Sequence, residues 1–368
     1  MAGIYLHIPF CRQACHYCNF HFSTSLQLKN DFVYALLKEM ELQRNYLAGE
    51  PVSTVYFGGG TPSLLSENEL KAIMQALRLQ FPILPDAECT LEANPDDINP
   101  VKLATWKEAG INRLSIGVQS FYEEDLRWMN RAHTAAQAVN CIKAAQDAGI
   151  TNLTIDLIYG TPTLPDDHWR QNVQTAIDMN IPHLSCYALT VEPGTALNAF
   201  IQKNKMRDVD TEDQARQFLL LMDWMQQAGY EHYEISNFAL PGMRSKHNSS
   251  YWQGAAYLGL GPSAHSFNGR ERQWNITNNA LYIKSVNEGM VPFEKEELTD
   301  TQRLNEYIMT SLRTAEGLDL DFVRRKFDAS IHAERFIQEG KVKEEDGRLV
   351  LTREGKLFAD GIAAELFF

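Results

Sequence analysis

The chain has 368 residues, a formal net charge of −13 and 44% hydrophobic residues, which predicts about two soluble domains and excludes a disordered chain. No apolar run is long enough for a membrane-spanning helix, and no secretory signal pattern stands at the amino end, so a cytoplasmic location is expected. The acidic balance argues against nucleic acid as a partner.

Short β-branched or aromatic runs alternate with amphipathic helical patterns up to about residue 190. Strands are predicted at 4–7, 54–57, 89–92, 113–117, 153–157 and 184–188. Helices are predicted near 30–47, 67–80, 100–109, 134–148 and 167–180. Repeated βα units indicate a parallel sheet, either doubly wound or curved into a barrel. Because no G-x-G-x-x-G follows the first strand, we expect an α/β fold with a partial (β/α)6 barrel.

Polar or glycine-rich motifs stand at or just past the carboxyl end of nearly every predicted strand. In chain order they are Cys11, Gly58-Gly59-Gly60, Glu92, Gln119, Asp156 and Tyr187. In a (β/α) barrel these positions meet on one face, which is where active sites lie. The sequence therefore predicts one site assembled from all six strands.

The pattern changes after about residue 200. A long helix is predicted over 209–229, and residues 236–280 form a polar, aromatic and glycine-rich region. A β-hairpin is predicted at 342–351, around an Asp-Gly turn. We expect the barrel and its extension to cover 1–280, and a small winged-helix-like α+β module to cover 281–368.

Three of the six cysteines crowd into one short segment, as Cys11, Cys15 and Cys18. Three thiolates in Cys-x3-Cys-x2-Cys spacing suit a [4Fe-4S] cluster with one iron left open to chelate an amino acid. A zinc site with His16 or His21 as fourth ligand is the alternative, although no second Cys-x2-Cys pair exists. A disulfide within the triplet is less favoured. The other three cysteines are expected in the core: Cys89, Cys141 and Cys186.

The cysteine spacing after a first strand resembles the radical S-adenosylmethionine (SAM) superfamily, and Gly58-Gly59-Gly60-Thr61-Pro62 matches its glycine-rich motif. Segments at 5–11, 117–121, 130–131, 155–160 and 233–239 resemble the oxygen-independent coproporphyrinogen oxidase group within it. The resemblance implies that Cys11, Cys15 and Cys18 hold a [4Fe-4S] cluster. It implies SAM contacts from Tyr5, Tyr17, Gly59, Gly60, Thr61, Glu92, Gln119, Arg131, Asp156 and Ala188.

Two subfamilies of different function share this resemblance. In the enzymes, the cluster passes one electron to SAM, and the resulting 5′-deoxyadenosyl radical takes a hydrogen from a propionate of coproporphyrinogen III. The HemW-type haem chaperones bind haem and deliver it to an apo-haemoprotein client. Both functions require an external electron donor, and delivery to respiratory proteins is compatible with transient membrane contact.

Three features favour the chaperones. The cluster motif of the enzymes has the pattern Cys-x3-Cys-x2-Cys-x-Cys, whereas this chain has Phe20 at the position of the fourth cysteine. The enzymes also carry an extension before the cluster loop, whereas Cys11 is almost at the start. Residues 247–252 match the chaperone pattern H-N-x-x-Y-W, which implies that His247 contacts haem. We therefore expect a haem chaperone with no assigned catalytic residue; coproporphyrinogen dehydrogenation is the alternative. The glycine run before His265 is interpreted as a turn, and His265 is left without a role.

Overall fold

The computed structural model describes residues 1–368. The strands are β1 (Ala2–Ile8), β2 (Val52–Gly59), β3 (Ile83–Ala93), β4 (Arg113–Gln119), β5 (Leu153–Tyr159), β6 (His183–Ala188), β7 (Glu231–Glu234), β8 (Asn237–Ala239), β9 (Tyr257–Leu260), β10 (His265–Phe267), β11 (Glu271–Asn275), β12 (Phe293–Glu297), β13 (Leu318–Asp319), β14 (Val342–Glu345) and β15 (Arg348–Leu351). The helices are α1 (Lys29–Leu42), α2 (Glu67–Gln80), α3 (Pro100–Ala109), α4 (Glu123–Trp128), α5 (Ala135–Asp147), α6 (Asp166–Asp178), α7 (Ala196–Gln202), α8 (Thr211–Gln227), α9 (Lys246–Trp252), α10 (Asn279–Asn287), α11 (Asp300–Leu312), α12 (Leu320–Phe327), α13 (Glu334–Gln338) and α14 (Ala359–Glu365).

Strands β1 to β6 are parallel and lie side by side in chain order. A doubly wound sheet would reverse its strand order at a switch point, and this order does not reverse. The partial (β/α)6 barrel predicted from the sequence is therefore confirmed, and each predicted strand falls inside an observed one. None of the helices combines the length and the apolar composition that crossing a bilayer requires.

The core lies between the parallel strands and their helices. Along β1 the alternate side chains of Ile4, Leu6 and Ile8 are fully buried in a cluster of 58 residues. Burying each such side chain contributes about 1.5–3 kcal/mol. Because successive side chains of a strand point to opposite faces, Tyr5 and His7 face the inside of the barrel instead. The strand thus contributes one face to stability and the other to the candidate site.

Residues 257–297 extend the large sheet, which the sequence did not predict. Strand β9 pairs with β1, and β10, β11 and β12 follow in antiparallel order. A Cβ at Gly259 would lie 2.0 Å from the carbonyl oxygen of His265, so the close approach of β9 to β10 requires glycine there. These strands have three to five residues, too few for a clear alternation of apolar and polar side chains.

The carboxyl-terminal part has its own core of 14 buried residues, from Leu304 to Leu366, beside a three-stranded antiparallel sheet. The predicted hairpin is confirmed as β14 and β15. Its turn residues Asp346 and Gly347 both have positive φ, at 50° and 73°, as a type I′ turn requires. Strand β12 still pairs with the large sheet before this core begins. The domain division at 280 and 281 stays a prediction.

Candidate functional site

The carboxyl ends of β1 to β6 enclose a cavity of about 490 Å³, here called the strand-end cavity. Its wall contains most of the predicted site: Cys11, Cys15, Cys18, Tyr17, Gly59, Gly60, Thr61, Glu92, Gln119, Arg131, Asp156 and Ala188. Tyr5 instead lines a neighbouring cavity, and His247 lines neither. The structure thus brings together the residues that the sequence placed at the strand ends.

The three cysteine thiols of this cavity are unpaired and half-buried. Thr61 Oγ1 donates to the sulfur of Cys11 at 3.4 Å, and Arg131 Nη1 donates to the sulfur of Cys15 at 3.3 Å. Burial raises the pKa of Cys11 to about 11. No three His, Cys, Asp or Glu side chains approach closely enough to hold one metal ion. The triplet therefore suits a group that reaches three separated thiolates, as an iron–sulfur cluster does.

The two histidines considered as a fourth zinc ligand each have one ring nitrogen in a hydrogen bond elsewhere. His16 Nδ1 lies 2.9 Å from the carbonyl oxygen of Trp128, and His21 Nε2 lies 2.7 Å from Asn279 Oδ1. Structural zinc sites are closed by four protein ligands. The cysteine triplet lacks such a fourth ligand in this arrangement, and the geometry favours the cluster.

The glycine motif allows the backbone to line the cavity. A Cβ at Gly59 would lie 2.7 Å from the ring of His7, and one at Gly60 would lie 2.7 Å from the carbonyl oxygen of Phe10. Gly59 also has a φ of 101°, which side chains rarely tolerate. Just before the motif on β2, Tyr56 OH donates to the Glu92 carboxylate at the end of β3 at 2.8 Å. The motif and the end of β3 are therefore held as one unit.

The charges around the strand-end cavity suit SAM, which carries a sulfonium, an ammonium and a carboxylate. Burial raises the pKa of Glu92 to about 8 and that of Asp156 to about 6, so a bound cation would stabilise their ionised forms. Arg131 donates through Nη2 to Asn94 Oδ1 at 2.8 Å and to the Gly117 carbonyl at 2.7 Å. Its Nε is buried without a partner, which leaves a donor for a carboxylate.

Gln119 stands in a strained backbone conformation at the end of β4. Its φ is 66°, and the pairing register with β5 shifts between Ile116 and Gln119. A non-glycine residue in the left-handed region costs of order 1–3 kcal/mol, and such residues cluster at functional sites. The strain places the buried Gln119 side chain on the cavity wall.

A second cavity of about 840 Å³ lies between the large sheet and the carboxyl-terminal core and is here called the aromatic cavity. Its wall includes Tyr5, His7, Asn19, Phe20, His21, Tyr251, Trp252, Tyr257, His265, Phe267, Arg272, Arg303, Glu306, Tyr307, Phe322, Lys326 and Phe327. Asn19 and Phe20 line both cavities, so the two adjoin. The sequence did not predict this cavity, because its walls come from segments far apart in the chain.

His247 lies between the two cavities rather than on either wall. It is 1% exposed; its Nδ1 lies 2.8 Å from Thr54 Oγ1, and its Nε2 lies 2.9 Å from Tyr251 OH. Its ring stacks on that of Tyr56 at 4.9 Å. With both nitrogens engaged, His247 is not available as an iron ligand in this arrangement. The direct haem contact implied for His247 stays a prediction, and in this structure His247 reaches the aromatic cavity through its hydrogen bond to Tyr251.

The buried neutral ring of His247 is expected to make stability fall at acid pH. Burial lowers its pKa to about 3, so at pH 5 the unfolded chain binds a proton there that the folded protein does not. The contribution of neutral His247 to the free energy of unfolding is fully present above pH 6.5 and is lost as the pH falls below that value. Relative to His247→Gln, the wild type should lose about 2 kcal/mol between pH 7.5 and 5. Urea unfolding at both pH values measures this loss.

The exposed His332 provides the matched control, because its side chain is 80% accessible. His332→Gln should give the same stability difference from the wild type at both pH values. An equally constant difference for His247→Gln would contradict the buried, neutral state of His247.

Sequence reasoning missed two residues that hold the site together. Asn94 Nδ2 donates to Thr61 Oγ1 at 3.2 Å while its Oδ1 accepts from Arg131, so it joins the glycine motif to the basic group. Tyr56 connects Glu92 to the His247 ring. The position of Asn94 just past the third predicted strand was the available signal; Tyr56 gave none, because aromatic side chains are ordinary in strands.

The comparisons with known proteins agree with this geometry. The family model of the Radical SAM superfamily matches residues 5–176, and that of the HemN C-terminal domain matches residues 298–358. The solved structure of coproporphyrinogen III oxidase (HemN) from Escherichia coli has a TM-score of 0.84 and 24% identity, with coverage of 99% of this chain and 89% of that chain. The protein therefore has the α/β radical SAM fold.

Relatives in sequence define the family more closely. The heme chaperone HemW of Mycobacterium tuberculosis is 35% identical over 99% of this chain and 94% of its own length. The heme chaperone HemW of Bacillus subtilis is 33% identical over 98% of each chain. The chain belongs to the HemW family of radical SAM proteins.

Proposed function

We propose that the protein is a haem chaperone, which binds haem and delivers it to an apo-haemoprotein. The observation that carries this proposal is the aromatic cavity. Its volume of about 840 Å³ falls within the ~300–1,000 Å³ usual for cofactor sites, and its aromatic walls suit a flat, apolar macrocycle. The names of its relatives in Mycobacterium tuberculosis and Bacillus subtilis support the same function.

The strand-end cavity holds the cofactors of this family, a [4Fe-4S] cluster and SAM. Cys11, Cys15 and Cys18 would ligate the cluster, and the backbone of the glycine motif would receive the amino group of SAM. When bound, the pair supplies one-electron chemistry, for which we propose an external electron donor. Glu92 and Asp156 compensate positive charge, while Arg131 orients a carboxylate.

The cofactors lie beside the proposed haem cavity. Asn19 and Phe20 border both cavities. A conformational change at the strand-end cavity can therefore reach the aromatic cavity through these two residues. We propose that the cofactors control haem release in this way. We also propose that the protein acts in the cytoplasm. When the client is a respiratory protein, we propose transient contact with the membrane.

The alternative is coproporphyrinogen III dehydrogenation. The solved HemN structure shares the fold, which by itself does not assign an activity. Phe20, 67% exposed, stands where the resemblance places a fourth cysteine in the enzymes. That residue argues against the dehydrogenase and for the chaperone.

A parallel assay distinguishes the two functions. Anaerobically reconstituted protein is titrated with haem, and a second sample receives coproporphyrinogen III, SAM and a reductant. We expect stoichiometric haem binding, seen as a saturating Soret change, and no protoporphyrinogen by chromatography. Formation of protoporphyrinogen would assign the dehydrogenase activity instead, and failure to bind haem would refute the chaperone function.

A further inference from the structure

The aromatic cavity contains one histidine whose ring nitrogens are both free. His265 begins β10, its side chain is exposed, and the only influences on its pKa are burial and the nearby Arg272. Each of the other two histidines of the wall has at least one ring nitrogen in a hydrogen bond. His7 Nε2 lies 2.8 Å from the carbonyl oxygen of His21, and His21 Nε2 is taken by Asn279. His265 is therefore the wall histidine that can offer either ring nitrogen to a metal centre without breaking a hydrogen bond.

The fold holds His265 firmly on this wall. Its backbone pairs with Trp274 of β11, and the two rings stack with centroids 6.3 Å apart. Behind it, Gly259 has no side chain, which lets β9 approach the His265 carbonyl. A ligand on a rigid strand needs little reordering when it binds.

Aromatic side chains from both parts of the protein face the same space. Tyr251 and Tyr257 stack edge to face at 4.6 Å on the side of the large sheet. Tyr307 and Phe322 lie 4.6 Å apart on the carboxyl-terminal side, where Phe322 is 37% exposed. Such rings offer contact to the faces and edges of a planar conjugated ring system.

The charge of this cavity is opposite to that of the whole protein. Arg272, Arg303 and Lys326 line it together with a single carboxylate, Glu306, whereas the chain carries a net charge of −13. Arg272 Nη2 pairs with Glu306 at 2.9 Å and Arg303 pairs with Asp300, so Lys326 remains without an ion pair for an anionic ligand. Haem combines an iron centre, an apolar macrocycle and two carboxylates, and the cavity presents a partner for each.

We propose that haem binds in the aromatic cavity with His265 as a ligand to its iron, and with Arg272, Arg303 and Lys326 facing its propionates. This inference rests on the proposed chaperone function and specifies its site. In this arrangement His247 is a positioning residue, because it holds Tyr251 on the cavity wall through their 2.9 Å hydrogen bond.

The test compares haem with protoporphyrin IX, which has the same ring and propionates but no iron. Wild type, His265→Ala and the control His332→Ala are titrated with each porphyrin as full-length protein. We expect His265→Ala to shift the Soret band and to weaken haem binding about tenfold or more. Its affinity for protoporphyrin IX should stay unchanged, and His332→Ala should match the wild type throughout.

Each contrary outcome points to a different failure. If His265→Ala loses both porphyrins equally, the residue is structural and the ligand assignment is overturned. An unchanged Soret band and haem affinity would also overturn it, as would a ligand-type Soret change found for His247→Gln instead. A wild type that binds no haem at all would refute the proposed function itself, independently of His265.

Discussion

Replacing Cys15 by Ala is expected to leave the protein without a [4Fe-4S] cluster. The chain offers three thiols at the strand-end cavity, and removing one leaves two, whereas the cluster of this family is held by three. His16 and His21 each have one ring nitrogen held by a hydrogen bond, to the Trp128 carbonyl and to Asn279 respectively, which orients their rings. After anaerobic reconstitution, we expect iron and sulfide to fall from about four per chain to near zero, with loss of the visible absorption.

Cys141→Ala is the matched control for this variant. Cys141 is 3% exposed on α5, and its thiol donates to the Ala138 carbonyl within the same helix. Its removal deletes one sulfur from the core and none from the cavity, so cluster content should equal that of the wild type. Unchanged iron in Cys15→Ala, or equal loss in both variants, would contradict the assignment of the cluster to the triplet.

The strand-end cavity was largely predictable because its signal is local. A parallel strand ends at a definite residue, and the barrel topology then brings Cys11, Glu92 and Asp156 to one face whatever the details of packing. Gly59 and Gly60 were recognisable for the same reason, since a glycine run at a strand end indicates close backbone approach. Topology therefore determined most of this site.

The aromatic cavity was not predictable because it depends on packing between distant segments. Tyr251 and Tyr307 meet across the space between two cores, and no periodicity in the sequence records that meeting. The orientation of His247 was equally hidden, since a motif identifies a residue but not which of its nitrogens are occupied. His265 received no role from the sequence because the glycine run before it indicated only a turn.

A continuous set of contacts joins the two cavities and includes His247 and Tyr251 of the H-N-x-x-Y-W segment. The Glu92 carboxylate accepts from Tyr56 OH, the Tyr56 ring stacks on His247, and His247 bonds to Tyr251. Glu92 thus belongs to the strand-end cavity at one end of this chain of contacts, and Tyr251 to the aromatic cavity at the other. These contacts join the two cavities through buried aromatic rings.

Replacing Glu92 by Gln is accordingly expected to weaken SAM binding while the cluster stays intact. The Gln side chain has nearly the same shape as that of Glu92 but carries no negative charge. A hydrogen bond to a charged group is worth ~1.5–3 kcal/mol. We expect SAM affinity to fall roughly tenfold to a hundredfold by calorimetry, with unchanged iron content. Glu192→Gln is the matched control, because Glu192 lines the same cavity without a predicted SAM contact.

The pH dependence separates the charge of Glu92 from its shape. Burial raises the pKa of Glu92 to about 8, so the ionised fraction of this carboxyl grows as the pH rises from 7 to 9. Ionised Glu92 attracts the cationic groups of SAM, and the affinity ratio of wild type to Glu92→Gln should therefore increase over that range. The sulfonium of SAM keeps its charge over this range whereas its ammonium can lose a proton, so the ratio reports the attraction of Glu92 for the sulfonium. A constant ratio, or equal affinities at both pH values, would show that Glu92 contributes no charge to SAM binding.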